Sequence, residues 1–149
     1  MKYLEDFKVG QIFAFRTPPL SKDEIISFAR EWDPQRLHTD EYYAKQIHGG
    51  LIASGFQTLL LVFRPIMRDF MTGVANIGGL GFERLSWNAP VRANEPLDVT
   101  LKMQAVRPSQ TKPDRGVVSY RVEARNMAGE PVLTVDTAAM VKRKAGPPS

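Results

Sequence analysis

The sequence predicts an α+β domain in which an antiparallel sheet curls round one long, central apolar helix. Three observations point there. From Leu51 to Phe70 the chain is heavily apolar, and Leu59, Leu60, Leu61, Val62, Phe63, Ile66, Met67 and Phe70 leave no clean polar face, as expected of a helix buried on most sides. Two later segments alternate in strict period two, with Leu97, Val99, Leu101, Met103 and Ala105 in one and Val118, Tyr120, Val122 and Ala124 in the other. Asn126 to Pro131, with Gly129, reads as a hairpin connection leading into a return strand over Val132 to Val141. Three consecutive long strands imply an antiparallel meander.

The remaining elements follow in chain order. Gln11 to Arg16 is a short β-forming run closed by Pro18-Pro19, an opening strand. Ser21 followed by Glu24 reads as a capping box, after which Ile25, Phe28, Ala29 and Trp32 share one helical face. That helix should stop at Asp33, because Pro34 disfavours helical geometry in the residue before it, and a loop should follow. Thr39 or Asp40 can cap a second short helix from Glu41 to about Gln46, ended by Gly49-Gly50. Pro65 predicts a kink or a new turn within the apolar segment. Leu80 to Trp87 is a further strand, and Arg107 to Gly116 a polar loop between two strands. The tail from Lys142 to Ser149, basic and then Pro/Gly-rich, is expected to fray. Nothing divides residues 1–149, so one domain is expected.

Composition narrows the function. With 149 residues, 43% of them hydrophobic, the chain can bury one sizeable core. It has no cysteine, which excludes a disulfide framework and Cys-ligated metal sites, and its two histidines come with no carboxylate cluster at ligand spacing, so no metal is predicted. Met1 to Gly10 carries charges without an apolar run, and no stretch reads as a bilayer-spanning helix; a soluble, cytoplasmic protein with no membrane association is expected. The net charge of +4 comes from scattered basic residues, not a stripe with interleaved aromatics, so no nucleic-acid partner is predicted. A small anionic ligand such as a phosphorylated acyl carrier is the next candidate.

The chemistry concentrates between Asp33 and Gly55. Asp33 and His38 place a carboxylate and an imidazole five positions apart. Hydration of an activated double bond, or its reversal, needs a group to take a proton from water and one to deliver a proton to carbon, and such a pair can share those tasks near neutral pH. It also needs stabilisation of the charge that develops on the carbonyl oxygen. Backbone N–H groups where Ser54-Gly55-Phe56 opens the apolar helix would supply it, with Gly55 allowing a substrate to approach the backbone closely. Each residue also has a purely structural reading: Asp33 as a cap, His38 as a loop or core histidine, Gly55 as a turn. His48 reads as a surface or packing residue.

The layout resembles the MaoC-like dehydratases, the hydratase branch of the hotdog fold. In that family a catalytic Asp ends a helix, a proline-containing loop follows, a catalytic His stands five residues on and a further Asp two after it; Asp33, His38 and Asp40 match. The apolar turn ending in a helix-opening glycine is matched by Leu51-Ile52-Ala53-Ser54-Gly55. Tyr3 to Gly10, Pro90-Val91-Arg92 and Arg107 to Gly116 are also similar to family segments, so the resemblance covers most of the chain. It implies a hotdog domain and a hydratase or dehydratase acting on 2-enoyl or 3-hydroxyacyl thioesters of coenzyme A. Coenzyme A would be part of the substrate, with no separate cofactor. It further implies a homodimer, with carrier phosphates near a subunit boundary where Arg107, Lys112 and Arg115 are candidates to bind them; a solvated loop is the alternative.

Several departures stand out. The family usually has Asn where this chain has Gln35, a longer amide, and Pro where it has Arg36, the proline having moved up to Pro34; it often has His where this chain has Ser54, and often a small hydroxyl residue where it has Phe63. Gln35, Ser54, Phe56 and Phe63 are the candidate substrate contacts. The departures leave open a non-catalytic acyl-thioester-binding subunit, and thioester hydrolysis is a further alternative.

Overall fold

The computed structural model describes residues 1–145. Strand β1 (Ile12–Arg16) leads into helix α1 (Lys22–Trp32), opened by the predicted capping box. Ser21 Oγ accepts from the Glu24 amide at 3.1 Å, and the Glu24 carboxylate accepts from the Ser21 amide at 3.1 Å. Asp33 caps the C-terminus, its amide still donating to the Ala29 carbonyl at 2.8 Å. The stretch expected as a loop forms a one-turn helix, α2 (Arg36–Thr39). Asp40 then caps α3 (Glu41–His48) by accepting from the Tyr43 amide at 3.0 Å, and Gly49 ends it at φ 73°, a left-handed conformation suited to glycine.

An extended segment over residues 51–54 precedes the long helix α4 (Gly55–Asp69). Strands β2 (Asn76–Trp87), β3 (Asp98–Pro108), β4 (Arg115–Arg125) and β5 (Pro131–Lys142) complete one antiparallel sheet of order β1-β3-β4-β5-β2. The predicted meander is β3-β4-β5. Its register sets Leu101 opposite Val122 and Val122 opposite Val135, so the period-two residues share the face that packs against Leu61, Val62, Phe63 and Ile66 of α4 in one core. Each such side chain contributes roughly 1.5–3 kcal/mol when fully buried. The α+β architecture, with a sheet against a central helix, is the one the sequence predicts.

Several local expectations need correction. Helix α4 is not buried on most sides: Phe56, Leu60 and Met67 lie on an exposed face, Leu60 at 61%. It also runs through Pro65 with no new element starting there; the ring is buried, and tertiary packing offsets the missing backbone bond. Trp32, assigned to the packed face of α1, is 65% exposed because the helix ends there. Arg107 belongs to β3 and Arg115 to β4, which shortens the polar loop between them. Nor does the start of the tail fray. Lys142 closes β5, Arg143 Nε meets Glu5 Oε1 at 2.9 Å, and the Lys144 amide donates to Glu5 Oε2 at 3.0 Å, since the basic residues fall beside an acidic N-terminal segment. The rest of the predicted tail, from residue 146 on, lies outside the described residues.

Candidate active site

Asp33 is fixed where α1 ends, and α2 returns His38 towards it. Nε2 of His38 lies 3.3 Å from Oδ2 of Asp33, with the two side chains only 7% and 11% exposed. On the other side of the ring, Nδ1 lies 2.8 Å from the Ile52 carbonyl oxygen. A carbonyl only accepts, which assigns a hydrogen to Nδ1 and leaves Nε2 as the nitrogen that exchanges protons with the site.

Two residues donate to the carboxylate. Gln35 Nε2 donates to Oδ1 at 2.7 Å, and Ser54 Oγ donates to Oδ2 at 2.7 Å beside the imidazole. Burial pushes the Asp33 carboxyl up, but the Gln35 and Ser54 hydrogen bonds and the neighbouring His38 outweigh it, so the group titrates below its ordinary range. Ser54, fully buried, is also the N-cap of α4 and accepts from the Phe56 amide at 3.3 Å. The Thr58 amide returns to the Ser54 carbonyl at 2.9 Å. Gly55, at the first helical position, has no intrahelical acceptor for its N–H, which makes it the candidate oxyanion donor in place of Phe56.

Asp33, His38 and Gly55 open onto a single cavity of about 460 Å³, with Ile52, Phe56, Trp87, Pro90 and Val91 forming apolar walls. This is the usual character of a ligand site: apolar lining around a few convergent polar groups. Among the described residues, no three His, Asp or Glu side chains converge as a metal site would need.

The predicted site residues divide into two sets. Asp33, His38, Gly55 and Phe56 line the cavity, and Gln35 and Ser54 stand behind it on Asp33. Phe63 does not line it. Two turns along α4, Phe63 is 8% exposed in the core, its ring centroid 5.3 Å from that of Phe82. Arg107, Lys112 and Arg115 are also away from the cavity of this chain, and Arg115 is engaged by Asp114 at 2.9 and 3.1 Å.

His48 and Trp87 are among the lining residues that the sequence does not single out as site residues. His48 closes α3 and reaches the cavity, its place set by the Gly49 turn after it. Trp87, at the end of β2, donates its indole N–H to the Gly55 carbonyl at 2.9 Å. It also revises the role given to Gly55: a Cβ on that residue would lie 2.6 Å from Trp87 Cε2, so the glycine makes room for the indole. A pattern of apolar alternation could not pair residues 32 positions apart.

Comparison with known proteins points to one family. The family model described as "MaoC like domain" matches residues 6–126. The crystal structure of the MaoC-like dehydratase from Rhodospirillum rubrum is 32% identical and superposes with a TM-score of 0.84, covering 98% of this chain and 100% of that one. Uncharacterized protein YdeM of Bacillus subtilis is 29% identical over 141 residues, 94% of this chain and 99% of its own length. The (R)-hydratase from A. caviae involved in PHA biosynthesis shares the fold at 21% identity and a TM-score of 0.71, covering 94% of this chain and 99% of that one. A match over residues 6–126, extended by a full-length likeness in sequence and structure, places this chain in the MaoC-like domain family.

Proposed function

We propose that this protein adds water across the double bond of 2-enoyl-coenzyme A thioesters, or removes it from 3-hydroxyacyl thioesters. The observation that carries the reading is the Asp33–His38 pair, 3.3 Å apart and nearly buried, on the wall of an apolar cavity that Gly55 also lines. The dehydratase of R. rubrum and the (R)-hydratase of A. caviae, as named, support the same reaction class.

In the hydration direction, a water held by the Asp33 carboxylate and His38 Nε2 loses a proton to Nε2 as its oxygen bonds to C3 of the enoyl group. The electron pair of the double bond moves onto the thioester oxygen, where the Gly55 N–H donates. The proton then passes from Nε2 to C2 and the carbonyl re-forms, so one water is added and His38 returns to its starting state. Asp33 stabilises the transient imidazolium. Coenzyme A is part of the substrate, and the reaction as written uses no separate cofactor.

The test is incubation of the purified protein with short and medium 2-enoyl-coenzyme A, following both loss of the conjugated double bond and release of free thiol. Hydration abolished by Asp33→Asn and by His38→Ala supports the reading. Thiol release without hydration indicates a thioesterase, and tight binding with neither reaction indicates a non-catalytic acyl-thioester subunit.

A homodimer is part of this proposal. Phe56, Leu60 and Met67 on α4 and Leu80, Phe82 and Trp87 on β2 are all exposed, and β2 is a twelve-residue edge strand. Long apolar edges are covered in stable proteins, and a second copy is the self-complementary way to cover this one. A monomer in light scattering at micromolar protein would overturn it.

A further inference from the structure

The Trp87 indole makes three contacts at the point where the cavity meets the start of α4. Its ring atoms occupy the space beside Gly55 that a Cβ would fill, its N–H donates to the Gly55 carbonyl at 2.9 Å, and its ring stands edge-on to Phe56 with centroids 6.4 Å apart. The peptide between Gly55 and Phe56 is thereby held at both ends, by Trp87 on its carbonyl and by Ser54 Oγ on its N–H. Ser54 in turn donates to Asp33, so a continuous set of hydrogen bonds runs from a cavity wall to the carboxylate.

We propose that Trp87 is the specificity-determining residue of this cavity: its indole is the wall against which the acyl chain stops, and its N–H positions the helix start that carries the Gly55 donor. The inference rests on the acyl-thioester reading above. An indole is large, flat and held here by its own hydrogen bond, so it resists displacement by a chain that is too long or branched. Removing it joins its volume to the cavity.

Two variants separate the wall from the hydrogen bond. Trp87→Phe keeps an aromatic wall and loses the N–H; kcat should fall by about tenfold or less, with the chain-length profile retained. Trp87→Ala loses both, and the optimum among 2-enoyl-coenzyme A substrates of increasing length should move to longer or branched chains, changing relative kcat/KM by about tenfold or more. A Trp87→Ala enzyme that folds, hydrates and keeps the wild-type profile overturns the proposal; if it does not fold, a wild-type kcat for Trp87→Phe overturns it.

The wall is also tested independently of turnover. In a Trp32→Phe background Trp87 is the sole tryptophan, and titration with saturated acyl-coenzyme A of increasing length should change its emission in a length-dependent way. If no substrate is hydrated but the emission responds, the assigned reaction fails and the wall stands. An emission unchanged at all lengths, in a protein that does hydrate, refutes the wall alone.

Discussion

Ser54→Ala tests the site and the fold together. The hydroxyl gives one hydrogen bond to Asp33 Oδ2 at 2.7 Å and takes one from the Phe56 amide at 3.3 Å, both at a fully buried position. A hydrogen bond to a charged group contributes about 1.5–3 kcal/mol and an N-cap about 0.5–2 kcal/mol. Gln35 still donates to the carboxylate in the variant, so the expected loss is in the lower part of the sum, about 2–4 kcal/mol. Urea unfolding should show a lower midpoint with unchanged m-value. The loss should also depend on pH. Asp33 titrates below its ordinary range in the folded protein, so its contribution is complete above the unfolded carboxylate pKa of about 3.9 and disappears as pH falls through the lower folded value. The gap between wild type and variant should therefore narrow in acid towards the cap contribution alone. In activity, removing a donor from the ionised carboxylate loosens its hold on the water that His38 deprotonates, and kcat/KM should fall several-fold. A stability change within 0.5 kcal/mol of zero, expected only of a substitution that touches nothing important, together with a wild-type kcat/KM, would refute the assignment of Ser54 to Asp33.

Three further substitutions probe the surroundings. Gln35→Ala removes the amide on Asp33 Oδ1, and Gln35→Asn withdraws it by one methylene group from a 2.7 Å contact; both should lower kcat several-fold, whereas a wild-type kcat for both would show that Gln35 does not orient Asp33. Gly55→Ala sets a methyl group 2.6 Å from Trp87 Cε2 and should destabilise by about 1–3 kcal/mol through overpacking; Trp87→Ala should relieve that penalty in the double variant, and strict additivity in urea unfolding would argue against the clash. Asp136, 6% exposed on β5, accepts from Arg121 at 2.8 and 2.9 Å and from Arg84 at 2.9 Å, and these bonds, Arg121 first, hold its carboxyl below the ordinary range. Asp136→Asn should cost about 1–3 kcal/mol at pH 7 and progressively less as pH falls through the depressed folded pKa, which parallel urea titrations at pH 7 and pH 3 would measure.

What the sequence discloses and what it hides differ for physical reasons. The meander is legible because a strand with one buried face must alternate, as Leu97 to Ala105 and Val118 to Ala124 do. The capping box at Ser21 and Glu24 and the stop at Asp33 are legible because both are local backbone chemistry. The exposed stripe on α4 is not: Phe56, Leu60 and Met67 are as apolar as their buried neighbours, and hydrophobicity alone does not say whether a residue faces the sheet or the outside. Motif spacing brought Asp33, His38 and Gly55 to one cavity, but it could not tell that position 63, two turns further along, faces the core beside Phe82. Trp87 was hidden for the opposite reason, since its contact with Gly55 spans 32 residues and depends on where an edge strand ends.

The departures from the family pattern acquire a different meaning once the contacts are known. Gln35 stands where Asn is usual, yet its longer side chain reaches Asp33 Oδ1. Ser54 stands where His is frequent, yet its hydroxyl reaches Asp33 Oδ2 while capping the helix. Two departures from the family therefore converge on one carboxylate, from opposite oxygens, and both lower its pKa. An unsupported charge at this nearly buried position would cost several kcal/mol, and the two donors supply the support that keeps Asp33 ionised beside the imidazole. A further departure, Phe63, has no bearing on that pair because it packs in the core. Two of the departures from the family thus fall on how Asp33 is held, which directs functional comparison towards the orientation and ionisation of that carboxylate.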